Sequence, residues 1–197
     1  VPSRALARWS QESRAALDAL DAAHARVAAT RRVGRALAQP IAHAYLVAVA
    51  AQFQRYCRDL HSEAAQRLAD AVEPRAFRGT VLRLLTEGRR LDAGNATAGA
   101  LGADFDRLGL ELLAALEASA PGRRLIRELE RLHVWRNAIV HQDFTLKPGR
   151  AKLVRGTAPE ELRHVRRWRA SCDALAGTLD ALVRAHVSQV VGGAPWR

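Results

Sequence analysis

Apolar residues recur along most of this chain at intervals of three and four, the spacing that lays them on one face of a helix. From Ser3 to about Thr30, Leu6, Leu17, Leu20 and Val27 stand at such intervals among Ala, Arg and Asp, and Arg31, Arg32 and Gly34 close the segment. Pro40 suits the first turn of a second helix, which continues through Tyr45, Val49, Phe53, Tyr56 and Leu60 to about Val72. Around Ala44 to Phe53 this helix is apolar almost all round, as expected for the buried centre of a bundle. Pro74 opens a shorter helix through Phe77, Val81, Leu82 and Leu85.

Glycines then interrupt the pattern: GRRLDAGNATAGALG, from Gly88 to Gly102, reads as a loop. Periodicity returns from Phe105 to Ser119 with Leu108, Leu112 and Leu116, and Pro121-Gly122 precedes a helix from Arg123 to about His141. Phe144-Thr-Leu-Lys and Ala151-Lys-Leu-Val flank Pro148-Gly149 as two short extended arms around a turn, the pattern of a small hairpin over 144–154. Thr157-Ala-Pro-Glu160 has capping-box spacing, with Pro159 in the first turn of a last helix that reaches about Val191. The expected fold is all-α, an up-and-down bundle of about five to six helices. No break in composition divides it, so residues 1–197 read as one domain.

Composition agrees with that class. Hydrophobic residues make up 49% and aromatics only 5%, and Ala, Leu and Val dominate, a mixture that favours helices over a sandwich of β-branched and aromatic strands. The formal net charge of +11 adds a polyanionic partner such as RNA, DNA or an anionic membrane surface to the expectations. Because only Lys147 and Lys152 are lysines, the arginine excess is equally the mark of a GC-rich genome.

Cys57 and Cys172 lie in different helical patterns without zinc-ligand or disulfide-framework spacing, which fits a reducing cytoplasm. The most apolar run, Ala44 to Ala51, falls far short of the roughly 20 residues that cross a bilayer. The opening VPSRALARWSQ lacks the apolar stretch of a secretory signal, and the missing initiator Met implies a trimmed chain or an alternative start codon. No cofactor and no metal site is indicated.

The chemistry concentrates between Arg123 and His141. On a helical wheel at about 100° per residue, Leu125, Leu129, Leu132, Ile139 and Val140 form one stripe with Arg136 in its middle. A guanidinium keeps its charge at every workable pH, so an arginine on a core-facing stripe needs a partner or a purpose. Glu130, His133, Asn137 and His141 lie along one flank. One reading pairs Arg136 with an acid of a neighbouring helix, such as Asp59 or Glu63, and lets His141 merely end the helix.

Arg136-Asn137-Ala138-Ile139-Val140-His141 resembles the motif of the HEPN superfamily, an arginine and a polar residue, then three further residues and a histidine. AYLVAVAAQFQRYCRDL resembles the long helix of those proteins, and RRLDAGNATAGALGADFDRLG the loop and following helix of the branch linked to abortive infection. The likeness spans roughly Gln39 to Gln142. Two positions depart from it. Gln52 or Gln54 stands where relatives often carry a glutamate, and Asp143 stands where toxins silenced by a nucleotidyltransferase carry tyrosine.

The resemblance implies a cytoplasmic, metal-independent endoribonuclease of the toxin or antiphage type, working as a two-fold homodimer with both motifs lining one cleft, and an antitoxin or regulatory partner. Within it Arg136 would hold phosphate, His141 would transfer the proton as acid or base, and Asn137 would orient. His133 is either a helper or a satisfied interface histidine. Between Lys147 and Ala170 eight Lys or Arg face two Glu, and Arg163, Arg166 and Arg167 occupy one side of the last helix, to follow an RNA backbone or simply to be solvated. Trp168 reads as core rather than as a stacking platform. The alternative function is a noncatalytic HEPN module that binds nucleotide or RNA. A DNA-binding regulator ranks last, since no helix-turn-helix spacing places a recognition helix.

Overall fold

The computed structural model describes residues 1–30 and 34–196, the side chains of 34–36 excepted, and every regular element among them is helical. α1 (Arg4–Arg8) passes through a π turn (Trp9–Ser13) into α2 (Arg14–Ala28). α3 (Gly34–Asp70) is followed by a 3-10 turn (Arg75–Phe77), α4 (Arg78–Thr86), α5 (Arg90–Ala93), α6 (Ala98–Asp106) and α7 (Leu112–Glu117). α8 (Ala120–His141), α9 (Pro148–Leu153) and α10 (Leu162–Val191) complete the chain.

α3, about 55 Å long at 1.5 Å per residue, is the axis of the bundle. Its residues Tyr45, Leu46, Val49, Phe53, Tyr56, Cys57, Leu60 and Ala64 follow three- and four-residue steps and are buried. α1, α2, α4, α8 and α10 all pack against it. α10 buries the matching series Val165, Trp168, Cys172, Leu175, Leu179, Val183 and Val187, so Trp168 is a core residue. Tyr56 fixes the two long helices in register by donating from its hydroxyl to the Ala176 carbonyl at 2.7 Å. Among the described residues no helix is long and apolar enough to cross a membrane.

Several local expectations are corrected. The hairpin over 144–154 is absent among the described residues: Pro148 and Gly149 begin α9 rather than turn a strand pair, because proline's fixed φ serves a first helical turn as well as a bend. Pro40 lies inside α3 instead of opening it. Arg31 and Arg32, read as closing the first helix, fall outside the described residues. The segment from Phe105 to Ser119 is two helices, broken where Gly109 takes a left-handed φ of 78°. Leu108, Leu112 and Leu116 nevertheless stay buried.

The glycine-rich stretch is only partly loop. Thr97 caps α6 by accepting from Ala100 N at 3.2 Å, and Gly102 lies within α6, where a Cβ would come 2.7 Å from Leu113 Cδ1. The capping box at Thr157 does not form. Its hydroxyl donates to the Val154 carbonyl at 2.6 Å and accepts from Trp135 Nε1 at 2.9 Å, so α10 begins only at Leu162.

Candidate functional site at the end of α8

Ser119 starts α8 by accepting from Gly122 N at 3.0 Å, and a Cβ on Gly122 would overlap the Leu116 carbonyl, which explains the glycine. The helix stops just after His141. Gln142 takes the left-handed conformation, φ 52° and ψ 30°, and Asp143 N donates back to the Ala138 carbonyl at 3.0 Å. Glutamine rarely occupies that conformation. Its side-chain amide donates to the Ile139 carbonyl at 2.8 Å and helps to hold the turn.

Three side chains along one flank of α8 hold the segment between α5 and α6. Glu130 accepts from Ala98 N at 2.8 Å, His133 Nε2 lies 3.0 Å from the Ala96 carbonyl, and Asn137 Oδ1 accepts from Asn95 Nδ2 at 2.9 Å. Since a carbonyl only accepts, Nε2 of His133 carries the proton. Burial lowers the pKa of this imidazole to about 4, the nearby Arg136 charge pushing the same way against the Ala96 contact. His133 is therefore neutral near pH 7 and positions Asn95–Ala98.

Arg136 sits half-buried between the buried Leu132 and Ile139. Its Nη1 donates to Asn137 Oδ1 at 3.1 Å, and no ion pair engages it among the described residues. The two acids that sequence offered as partners are used elsewhere: Asp59 pairs with Arg8 at 2.5 Å and Arg55 at 3.8 Å, and Glu63 accepts from Arg4 N at 2.9 Å. His141 is exposed at the C-terminal end of the helix. The last two turns of α8 thus carry an uncompensated guanidinium, an amide that restrains it and a solvent-accessible imidazole.

Gln54, on the long helix, donates to the Leu91 carbonyl at 3.0 Å, while Gln52 accepts from Ser13 at 3.0 Å. Both amides hold neighbouring elements and neither joins the α8 cluster. The three arginines of α10 point three ways: Arg163 pairs with Glu161 at 2.5 Å, Arg166 grips Asp21 of α2 with contacts of 2.8 to 3.1 Å, and Arg167 reaches the buried Glu128 of α8 at 2.5 Å. None belongs to the end of α8.

Two residues beside this cluster escaped the sequence reading. His43 of α3 and Phe144 face each other with ring centroids 6.2 Å apart and planes inclined by 30°. They line a cleft of about 420 Å³ with Gln39, Pro40, Ile139 and Gln142. The only hint was that His43 bounds the apolar run of α3. Cys57 and Cys172 are free and fully buried, and burial pushes both thiols upward, away from the reactive thiolate. Among the described residues no group of three or more His, Cys, Asp or Glu is placed to hold a metal ion. Comparison with protein-family models, curated proteins and solved structures gives no match.

Proposed function

We propose that the chain is a metal-independent endoribonuclease of the HEPN type, with Arg136 and His141 as its working pair. The observation that carries this reading is Arg136: a permanent charge on a core-facing stripe, held only by Asn137 and engaged by no carboxylate among the described residues. A cation kept in that condition suits an anion that arrives from outside.

In RNA that anion is the scissile phosphate. The 2′-oxygen attacks phosphorus as a base takes its proton, the guanidinium fork stabilises the phosphorane, and the 5′-oxygen leaves with a proton from an acid. The P–O5′ bond breaks as the O2′–P bond forms, so the products are a 2′,3′-cyclic phosphate and a 5′-hydroxyl. His141, exposed at the end of α8, would serve as that base or that acid.

Two copies of the chain would place two such ends in one cleft. Val140, part of the apolar stripe, is exposed beside Arg136, and Leu37 is exposed near the same end. An isologous contact through this end of α8 would cover them. A toxin or antiphage role, with an antitoxin or regulatory partner in the cytoplasm, follows from the resemblance alone.

The test is incubation of the purified chain with total RNA in excess EDTA. Discrete cleavage with cyclic-phosphate and 5′-hydroxyl ends is expected, falling about 10²-fold to 10⁴-fold in His141→Ala. Products with 5′-phosphate ends, or activity that needs a divalent ion, exclude this chemistry. RNA binding without cleavage would favour the noncatalytic module. Full activity in a species of single-chain mass would remove the dimer.

A further inference from the structure

We infer that the cleft between Pro40, His43, Ile139 and Phe144 is a nucleobase subsite that receives one unstacked base of single-stranded RNA beside the phosphate assigned to Arg136; this rests on the ribonuclease reading above.

Position argues first. The cleft opens against the last turn of α8, with Ile139 lying between Arg136 and His141 in sequence and Gln142 directly following His141. The left-handed Gln142 ends the helix, and two residues later Phe144 stands opposite the His43 ring of α3. A strand whose phosphate meets Arg136 would therefore bring a neighbouring base to this opening.

The lining then selects the ligand. Gln39, Pro40, His43, Ile139, Gln142 and Phe144 include no carboxylate, lysine or arginine. Burial lowers the His43 pKa, opposed by the Glu160 charge, so the imidazole is neutral near pH 7. Such a lining offers a phosphate or carboxylate no counter-charge, while its amides and imidazole waste hydrogen bonds on a purely aliphatic guest. A base is neutral and planar with a polar edge, and it matches both halves of the site. Its π face finds the half-exposed Phe144 ring, and its edge finds the amides and His43.

His43 supplies an independent sign. Its Nε2 is shut away from solvent without a hydrogen-bond partner among the described residues. A buried nitrogen in that state has lost the bond it makes to water, and of the six buried side-chain atoms so placed among the described residues it is the one whose residue lines this cleft. Phe144 lies on the irregular stretch between α8 and α9. A base seated in the cleft would offer the His43 imidazole a hydrogen-bond partner.

Binding of short labelled single-stranded RNA tests this with cleavage blocked by His141→Ala. An abasic oligonucleotide and free nucleoside monophosphates serve as parallel probes. Phe144→Ala removes the platform, Phe144→Tyr keeps it, and Leu84→Ala deletes an exposed apolar side chain on α4, away from the cleft. Phe144→Ala should weaken base-bearing RNA about 10-fold and leave abasic RNA unchanged, since one stacked base contributes about that much. Tyr should restore binding and Leu84→Ala should change nothing. With His141 present, sequencing of the cut ends should show a base preference next to the break that Phe144→Ala flattens.

Equal effects on abasic and base-bearing RNA, or no effect, would overturn the subsite even if the wild-type chain cleaves RNA. Base-selective weakening in a chain that cuts no RNA would uphold the subsite and defeat the ribonuclease reading. Tighter binding of a free monophosphate than of RNA would overturn the single-strand assignment.

Discussion

Asn95 Nδ2 lies 2.9 Å from Asn137 Oδ1, and that one oxygen also receives Arg136 Nη1 at 3.1 Å. The loop before α6 and the cation of α8 therefore share one acceptor. Asn137→Ala should cost roughly 1–2 kcal/mol of stability and lower activity, because it releases both. Asn137→Asp keeps the acceptor and should retain the stability to within about 1 kcal/mol, yet it neutralises Arg136. RNA affinity should drop and the log-affinity against log-salt slope should lose about one unit. Urea unfolding and RNA titrations over a salt series separate the two effects.

Acid should weaken the fold before carboxylates titrate. His133 and His61 are each held near pKa 4 by burial, His61 between the Asp104 carbonyl at 2.9 Å and Arg89 at 3.2 Å. Both are neutral in the fold, whereas in the unfolded chain they take up protons below about pH 6.5. Their contribution is complete above that pH and is lost as pH falls from 6.5 to 4, by up to about 1.4 kcal/mol per pH unit for each. Denaturation curves at pH 7, 6 and 5 measure the slope. His133→Gln should flatten it, and an unchanged slope would take His133 out of the account.

Arg136→Lys should fold normally and cleave poorly. A lysine keeps the charge but offers no planar fork to two phosphate oxygens. Circular dichroism melting should stay close to that of wild type, since no carboxylate engaged by Arg136 would be stranded among the described residues. A large loss of melting temperature would mark Arg136 as structural.

The α10 arginines should divide by the acids they meet. Glu128 is 2% exposed, and one of its oxygens takes both Arg131 at 2.7 Å and Arg167 at 2.5 Å. Arg167→Ala leaves that carboxylate to Arg131 alone and should cost roughly 1–2 kcal/mol. Arg163→Ala, in an exposed pair, should cost under about 0.5 kcal/mol. If RNA draws Arg163, Arg166 and Arg167 from their pairs, replacing all three flattens the salt dependence of binding. An unchanged slope leaves them as intramolecular ties.

Long elements were legible because their hydrophobic period persists: α3, α8 and α10 each carry a buried face several turns long. The shorter elements were not. Pro148-Gly149 serves a helix start and a turn equally well, and Gly109 breaks a helix whose leucine spacing continues across the gap. The place of Arg136 on the apolar stripe could be read from spacing, but its partners could not. That Asp59 and Glu63 are taken by the N-terminal arginines depends on how α1 meets α3. The meeting of His43 and Phe144 across about a hundred residues had no local signal.

The π turn at Trp9–Ser13 makes the first helix intolerant of changes in length. Ala5, Trp9, Ser13 and Leu17 are all buried, each four residues from the next. On an ideal α-helix each such step overshoots a full turn by about 40°, so after three steps the last residue would have rotated about 120° away from the core. The wider turn absorbs that overshoot. Deleting one residue between Trp9 and Ser13 would restore a regular helix and swing one end around its axis, exposing either Leu17 or the Ser3 amide that donates to Asp180. A substitution there keeps the phase; a single-codon deletion does not.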